Sequence, residues 1–375
     1  PEASWQIPLC IRHANGATCD LLRDARDEIE LPGCPAWWMP NDRGAGYFRF
    51  SMSRGDWTAL RTKGFATLSD AGKQAVADSL YAGFAGGLLE VEDLLPWFSR
   101  FVASPLRQVA SGPMSALRFM MVEASSPETQ PKIRAYAGRL YRPRYRRLGW
   151  RAKQGESSDT KLLRGTVVEF MVMDVRDRKA RARAAGLGRA YIGYGAEPNP
   201  NAVDPQLANL ALATAVQEGD SGLFAPLLML LETSPDATLR NRSIAALAHA
   251  EAPALSQRAL ELALDSKLRL NEISVVLGIQ LRNPKTRDRA WAWLQENFDA
   301  FAERTGHAQA GNAPWYTASL CAREAADEVQ AFFEPRVASL AGGPRNLAGA
   351  VEAIQLCAAK ADAHRAAVDE AFRRR

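Results

Sequence analysis

Apolar and polar residues alternate at the start of the chain, and this alternation predicts a short β-strand. Trp5, Ile7, Leu9 and Ile11 fall on one face, while polar or small residues occupy the other. A period of two residues is typical of a strand with one buried face. Pro8 lacks a backbone N–H, so we expect this strand at a sheet edge or a bulge.

Four more short strands follow in the same pattern, and the Asn15-Gly16 pair predicts a tight turn before the first of them. The predicted strands are Thr18–Leu22, Glu28–Leu31, Trp37–Met39 and Tyr47–Phe50. Five strands of this size cannot bury their aromatic residues without a second layer. Residues 1–51 are therefore predicted to be the C-terminal part of a β-sandwich domain.

The period changes from two to 3.6 residues after Ser53, which is a suitable N-cap for a first helix. Helix-sized segments then follow one another, and pairs of them recur about every 35–40 residues without a strict sequence repeat, a spacing typical of helix-pair repeats. They are Asp70–Gly86, Val91–Ala103, Leu106–Ala124, Ile133–Leu148, Thr160–Arg176, Arg178–Gly186, Asp204–Glu218, Gly222–Glu232, Ala237–Ala248, Pro253–Asp265, Lys267–Leu281, Thr286–Ala300, Ala322–Leu340, Pro344–Ala359 and Asp362–Arg373. The pattern predicts an irregular α-solenoid of the HEAT or armadillo type over residues 52–375, and a mainly α fold class.

The five cysteines and four histidines narrow the chemistry that the chain can support. No CxxC pair occurs, so a structural zinc site is not expected. Three cysteines fall within the first 34 residues, which suggests a disulfide between Cys19 and Cys34, with buried free thiols as the alternative. Cys321 and Cys357 are predicted to be core-packing thiols. The early cluster leans toward an oxidising compartment such as the periplasm.

Common catalytic motifs are missing from the sequence. It contains no HExxH, no GxxxxGK[ST] and no GxSxG, and GAGYFRF lacks a glycine of the dinucleotide-binding fingerprint. Glu90, Glu92 and Asp93 lie at a predicted helix start, where acids favour the helix dipole. No apolar run is long enough for a membrane helix, so we expect no membrane segment. No catalytic residue and no metal site is predicted on this chain.

A basic stretch, KIRAYAGRLYRPRYRRLGWRAK, spans residues 132–153 and has three interpretations. It can be a solvated amphipathic helix whose arginine stems cover apolar surface. It can bind a carboxylate or an acidic chain, because the guanidinium fork matches a carboxylate. It can bind nucleic acid, although a net charge of only +5 argues against that partner. The residues predicted to contact a substrate are Arg139, Tyr141, Arg142, Arg144 and Tyr145.

Two stretches, WQIPLCIR and PAWWMPNDRGAGYFRFS, resemble the junction between the β-sandwich and the helical domain of zinc aminopeptidases. The family includes aminopeptidase N, the puromycin-sensitive enzyme and the endoplasmic-reticulum aminopeptidases. The junction residues that carry the resemblance are Trp38, Asn41, Gly46, Tyr47, Phe48 and Arg49. Later stretches, including RSIAALAHAEAPAL, RDRAWAWLQENFDAF and GPRNLAGAVEAIQ, resemble the helical C-terminal domain of the same family.

The resemblance implies a non-catalytic C-terminal region that encloses a substrate chamber and contacts peptides. The GxMEN and HExxH motifs of the family's catalytic domain are absent here, so the resemblance places zinc in a catalytic domain elsewhere in a parent protein. The expected partners are peptide substrates and the catalytic domain of the same parent, with no nucleic acid. Because the chain opens on Pro1, we expect a piece of a longer protein; the alternative is a free-standing α-solenoid scaffold for a protein or peptide partner.

Overall fold

A computed structural model describes residues 6–219 and 221–374, and within them the chain is mainly helical with one small sheet. The helices are α1 (Arg54–Ala59), α2 (Asp70–Ala85), α3 (Val91–Ala103), α4 (Arg107–Val122), α5 (Gln130–Leu148), α6 (Ser158–Glu169), α7 (Arg178–Ile192), α8 (Ala208–Glu218), α9 (Phe224–Thr233), α10 (Ala237–Ala248), α11 (Pro253–Glu261), α12 (Leu270–Arg282), α13 (Arg287–Asn312), α14 (Arg323–Val337) and α15 (Gly343–Arg373). Wider π-helical turns extend α1 through Leu60–Gly64 and α6 through Phe170–Asp174.

The sheet has three antiparallel strands in the order β2-β1-β3, where β1 is Ile7–His13, β2 is Gly16–Leu22 and β3 is Trp38–Met39. The predicted turn at Asn15-Gly16 connects β1 to β2, whose register pairs Ile11 with Thr18. Trp5, assigned to the first strand, lies outside the described residues.

Two of the five predicted strands are wrong. The chain across Glu28–Leu31 pairs with no neighbour, and its two glutamates are exposed. The chain across Tyr47–Phe50 bends at Tyr47 and pairs with no described strand; instead, Asn41 donates to the Phe48 carbonyl, and the Phe50 N–H donates to the Ser79 hydroxyl. The alternation of apolar and polar residues could not distinguish such an unpaired segment from a β-strand.

Both cysteine predictions are also corrected. Cys19 forms a disulfide with Cys10, not with Cys34, because the β1–β2 register places Cys10 directly opposite Cys19. Cys34 comes later in the chain and is an exposed free thiol. Cys321 and Cys357 are joined by a second disulfide, between the residue two positions before α14 and the middle of α15, whose Cα atoms lie 5.1 Å apart.

The chain packs as two compact units, one comprising Pro1–Met120 with Ala363–Arg375 and the other Met121–Asp362. The predicted boundary after residue 51 stays a prediction. The core of the first unit is aromatic: Trp97 contacts Trp57 edge-on at 5.9 Å between ring centroids and stacks on Phe101 at 5.5 Å. Ser53 caps α1 as predicted, because its hydroxyl accepts the Asp56 N–H.

In the first unit, the resemblance-bearing residues form a closed loop, which we name the junction loop (residues 38–49). Asn41 is 3% exposed and organises the loop. Its side-chain oxygen accepts the Gly46 N–H at 2.9 Å, and its amide donates to the Gly46 carbonyl at 2.9 Å. The Trp38 indole donates to Asp56 at 3.0 Å. A Cβ at position 46 would lie 2.1 Å from the Phe48 ring, so a larger residue there would have to displace that ring.

The second unit is built from packed helices with a continuous apolar core. Trp291, Phe298, Phe301 and Phe333 form the aromatic part of that core. Helices α7 and α8 approach so closely that a Cβ at Gly188 would lie 2.4 Å from the Ala211 carbonyl oxygen. Small residues at this contact allow the two helix backbones to approach closely.

Several helices run further than the periodicity predicts, among them α7, which continues past the predicted end at Gly186 to Ile192. Helix α13 continues past a kink at Gly306, where φ is 77°, and ends at Asn312 instead of Ala300. The two predicted C-terminal segments form one helix, α15. None of the helices in the described part of the chain is both long and apolar enough to cross a bilayer.

Candidate functional site

The residues predicted to contact a substrate all lie on α5, but they do not share one surface. Tyr141 is fully buried, and its ring packs edge-on against Phe170 at 5.0 Å between centroids. Arg144 is 6% exposed, and burial lowers its pKa, helped by the neighbouring charge of Arg147. These two side chains belong to the interior of the second unit.

The other three predicted residues lie nearer the surface. Arg142 donates to Asp177 at 3.0 Å, in an ion pair that ties α5 to the start of α7. The Tyr145 hydroxyl accepts the Trp150 indole N–H at 2.8 Å, and burial raises the pKa of that phenol. Arg139 is exposed. Substrate contact by Arg139 and Arg142 therefore stays a prediction.

A different group of polar residues converges within the second unit, around a cleft of about 350 Å³ that we name the basic cleft. Its walls come from α4, α5, the π-helical turn after α6, α8, and the loops that follow α10 and α12. Its lining residues are Met121, Val122, Arg134, Met173, Asp174, Arg176, Gln217, His249, Glu251, Ile279, Arg282, Asn283, Pro284 and Lys285. A concave site with a few polar groups is the usual form of a ligand site.

Glu251 is the most heavily hydrogen-bonded group of the cleft. Arg176 binds it with both terminal nitrogens, at 3.0 and 3.2 Å, in a bidentate pair. Lys285 donates to it at 2.8 Å, and the Asn283 amide donates at 3.3 Å. This single carboxylate thus connects the segments after α6, α10 and α12, and fixes one side of the cleft.

The backbone at Arg176 is unusual. Its φ is 56°, in the left-handed region that glycine favours. It ends the π-helical turn Phe170–Asp174 and precedes Asp177, whose side chain caps α7 by accepting from Lys179 and Ala180. π-helical turns and strained residues are frequent at functional sites. The bidentate bond to Glu251 offsets the conformational cost of an arginine at this position.

Two arginines of the cleft have no such partner. Arg134, on α5, is partly buried, and its guanidinium makes no hydrogen bond or ion pair with any described residue. Arg282, at the end of α12, likewise has neither among residues 6–219 and 221–374. Burial lowers the pKa of Arg134, and the nearby charge of Arg176 lowers it further. Arg282 is exposed to solvent, whereas Arg134 is partly buried, so it is the unpaired charge of Arg134 that is costly unless a ligand neutralises it.

His249 adds a neutral imidazole to the same wall. Burial lowers its pKa to about 4, with the opposing influence of Glu251 and the reinforcing influence of Arg282. Neither ring nitrogen hydrogen-bonds to another residue that the structure describes. Burial would raise the pKa of Glu251, but the bonds from Arg176 and Lys285 lower it to about 2. At neutral pH the site therefore combines a neutral imidazole with an ionised carboxylate.

Sequence reasoning missed most of this cleft. Arg134 lies in the basic stretch of residues 132–153 but carried no signal that separated it from its neighbours. His249, Glu251 and Arg282 lie more than 100 residues away, and no motif connects them to Arg134. The chemistry of the cleft is that of anion binding. The described residues hold no cluster of three or more metal-type ligands.

Comparison with known proteins finds a family match over most of the chain. Residues 37–356 match the family described as the ERAP1-like C-terminal domain. The match begins within the loop before β3 and extends into α15, so it includes both the junction loop and the basic cleft.

Three full-length relatives are named as aminopeptidases. Aminopeptidase N of Lactococcus lactis subsp. lactis (strain IL1403) is 24% identical over 388 aligned residues, which cover 98% of this chain and 44% of that protein. Aminopeptidase M1-A of Oryza sativa subsp. japonica is 23% identical, over 88% of this chain and 39% of that protein. Aminopeptidase M1 of Arabidopsis thaliana is 24% identical over 43% of this chain and 18% of its own length. The chain spans less than half the length of these relatives.

Proposed function

The chain belongs to the family of ERAP1-like C-terminal domains and corresponds to the C-terminal region of an aminopeptidase, and on that premise we propose that it forms part of the wall of a peptide chamber. In this proposal a catalytic domain of the same parent protein removes N-terminal amino acids. This chain limits which peptides reach that domain and contacts them beyond their first residue. Closure of such a wall would exclude water and folded proteins from the reaction.

The observation that carries the proposal is the family match over residues 37–356 together with the intact junction loop. A loop with a left-handed glycine at position 44, where φ is 62°, and a buried, hydrogen-bonded asparagine is built to hold one geometry. We propose that this geometry sets the connection between residues 1–51, as the end of a β-sandwich, and an irregular α-solenoid formed by residues 52–375.

Zinc chemistry does not fit the residues of this chain. The described part offers no cluster of histidine, cysteine or carboxylate ligands, and HExxH does not occur in the sequence. We therefore place the zinc of the parent enzyme in its catalytic domain. The residues of this chain would act by binding and orienting peptides, with Arg139 and Arg142 as proposed contacts.

The test uses the complete product of the gene that encodes this chain, purified alongside the 375-residue chain itself. We expect the complete protein to release N-terminal residues from peptides in a chelator-sensitive reaction, and the isolated chain to release none. A shortened protein that ends before this chain should lose activity on peptides of several residues more than activity on a single aminoacyl amide, because only the longer substrates reach the chamber wall.

Equal losses on both substrate types would show that the chain stabilises the catalytic domain without contacting peptides. Absence of any aminopeptidase activity from the complete protein would overturn the proposal. The free-standing scaffold would then be the function to pursue, with a protein or peptide partner on the helical surface.

A further inference from the structure

The basic cleft has more positive charge than its own residues neutralise. Arg134, Arg176, Arg282 and Lys285 line it against only two acids, Asp174 and Glu251, so its walls carry a formal excess of two positive charges. The excess is not spread evenly. Glu251 satisfies Arg176 and Lys285, which leaves Arg134 and Arg282 as the two cations without a bonded counterion in the described chain.

We infer that the basic cleft is a binding site for a small organic molecule that carries two negative charges, a phosphomonoester or a dicarboxylate. A dianion would neutralise the two unpaired guanidinium groups, whereas a single carboxylate would leave one of them uncompensated. The cleft volume of about 350 Å³ suits a small molecule rather than a bare inorganic ion. The inference does not depend on the proposed chamber function.

Three features make the cleft a built site and not a patch of surface charge. Arg134 is partly buried, and its buried Nε has no hydrogen-bond partner among the described residues, so a ligand acceptor there would satisfy it. Glu251 fixes the segments after α6, α10 and α12 through four hydrogen bonds. His249 presents a neutral imidazole, which can donate one hydrogen bond to an anion without adding charge.

The arrangement also explains why Glu251 cannot replace the ligand. Its two oxygens are both engaged, by Arg176 and Asn283 on one and by Arg176 and Lys285 on the other. A carboxylate in this position shapes the wall and repels anions from its own side. The incoming anion is thereby directed to Arg134, Arg282 and His249, where the charge of Asp174 offsets only part of the positive charge.

Calorimetric titration of the 375-residue chain at constant ionic strength tests the inference. The probes are phenyl phosphate and glutarate, each compared with its singly charged counterpart, benzoate and butyrate. We expect one saturable site that binds the doubly charged probes at least about tenfold more tightly than the singly charged ones. Whichever of phenyl phosphate and glutarate binds more tightly identifies the source of the anion.

Arg134→Gln and Arg282→Gln should each weaken binding by about tenfold or more. Arg139→Gln is the matched control, because it removes an exposed arginine from the same helix as Arg134 but outside the cleft. If Arg134→Gln fails to fold, Arg282→Gln tests the site alone, since Arg282 is exposed at a helix end. The imidazole resonances of His249 should shift on saturation with the doubly charged probe.

Three results would overturn the inference. Equal affinity for singly and doubly charged probes would show a simple carboxylate site. A loss of affinity in Arg139→Gln as large as that in Arg134→Gln would show non-specific attraction by the basic surface. Absence of saturable binding by either doubly charged probe would show that the unpaired arginines serve no small dianion.

Discussion

The junction loop and the basic cleft use buried polar groups in opposite ways. In the junction loop, Asn41 uses both its oxygen and its amide within the loop, and the Trp38 indole donates to Asp56. In the basic cleft, one carboxylate is over-supplied with donors while two arginines and an imidazole have no bonded partner in the described chain. The polar side chains of the junction loop find their hydrogen-bond partners within the described part of the chain, whereas three of those in the basic cleft do not.

This difference separates a structural site from a binding site. A buried polar group that is fully hydrogen-bonded contributes to one fixed geometry, and its loss leaves a partner unsatisfied. A cation that is held partly out of water without a partner lowers stability and gains it back only from a ligand. Substitutions in the two regions should therefore differ in sign as well as in size.

The largest expected effect is at Asn41. Asn41→Ala removes three hydrogen bonds, to the Gly46 N–H, the Gly46 carbonyl and the Phe48 carbonyl. We expect the free energy of unfolding to fall by about 3–4 kcal/mol, because each lost bond costs about 1 kcal/mol and a buried N–H is left unsatisfied. Urea unfolding measures the change. Arg49→Gln, an exposed residue in the same loop, is the control and should change stability by less than about 0.5 kcal/mol.

Glu251→Gln should lower the free energy of unfolding by about 2–3 kcal/mol. Removing one partner of a buried ion pair costs about 3–5 kcal/mol, and the partial exposure of Arg176 and Lys285 reduces that cost. Thermal unfolding and urea unfolding both report the change. Glu303→Gln is the control. It removes a carboxylate from α13, elsewhere in the second unit, and shows how much stability changes when an acid outside the basic cleft is lost. If Glu251→Gln lowers the free energy of unfolding by less than Glu303→Gln does, Glu251 does not hold the three loops together.

Stability should fall as the pH decreases through the window from 6.5 to 4. The pKa of His249 is lowered from 6.5 to about 4 in the folded chain, so the unfolded chain takes up the proton first. The expected loss across the window is about 2 kcal/mol, below the full linkage value because the ring is only partly buried. Urea midpoints measured against pH test this, with Glu251 and Arg282 as the charges that face the ring.

His249→Asn is the control for the pH dependence, because it removes this imidazole and leaves the three other histidines in place. We expect the variant to have a flatter profile between pH 6.5 and 4 than the unmodified chain. Below that window Glu251, whose pKa is lowered from 4.5 to about 2, adds a second loss of stability as it is protonated. An unchanged profile in His249→Asn would show that another group governs the acid response.

The left-handed backbone at Arg176 should produce a smaller difference in stability, between two variants of that residue. Arg176→Ala and Arg176→Gly both remove the bidentate bond to Glu251, but only glycine adopts a φ of 56° without strain. We expect the glycine variant to be more stable than the alanine variant by about 1 kcal/mol. Equal stability would indicate that the backbone relaxes once the ion pair is gone.

The smallest effect should be opposite in sign. Arg134→Met keeps the aliphatic stem of the side chain and removes the unpaired charge, so we expect a gain of up to about 1 kcal/mol in the absence of anions. Differential scanning fluorimetry with and without phenyl phosphate compares the stability of the anion-bound and the anion-free protein. The unmodified chain should gain stability from the anion and the variant should not. A destabilised variant would mean that Arg134 serves the fold itself.

Much of the fold was predictable because it depends on local pattern. Helices α3 and α10 begin and end at the predicted residues, and the Ser53 cap follows from a short sequence signal. The strand predicted over Tyr47–Phe50 is absent, because the alternation of residue types does not show whether a segment finds a neighbouring strand to pair with. The two halves of α15 were predicted as separate helices because the local pattern is interrupted between them. The pattern does not show whether the helix continues through such an interruption.

Pairings between distant residues were predicted poorly. Cys19 was assigned to Cys34, whereas the register of two antiparallel strands selects Cys10. Of the five residues chosen on α5, Tyr141 and Arg144 lie in the interior, because a basic stretch does not reveal which face of its helix is covered. Arg134 belongs to no sequence motif. Its relation to His249 and Arg282 exists only in the folded chain, where all three residues line the same cleft.

The sequence by itself determined the helical class, most helix boundaries and the family, because these depend on residues that are close together along the chain. Only the tertiary structure decided the disulfides and the basic cleft. The charges of the cleft come from segments as far apart as Arg134 and Lys285, and whether such a charge is paired or free depends on what folding places next to it. No local pattern contains that information.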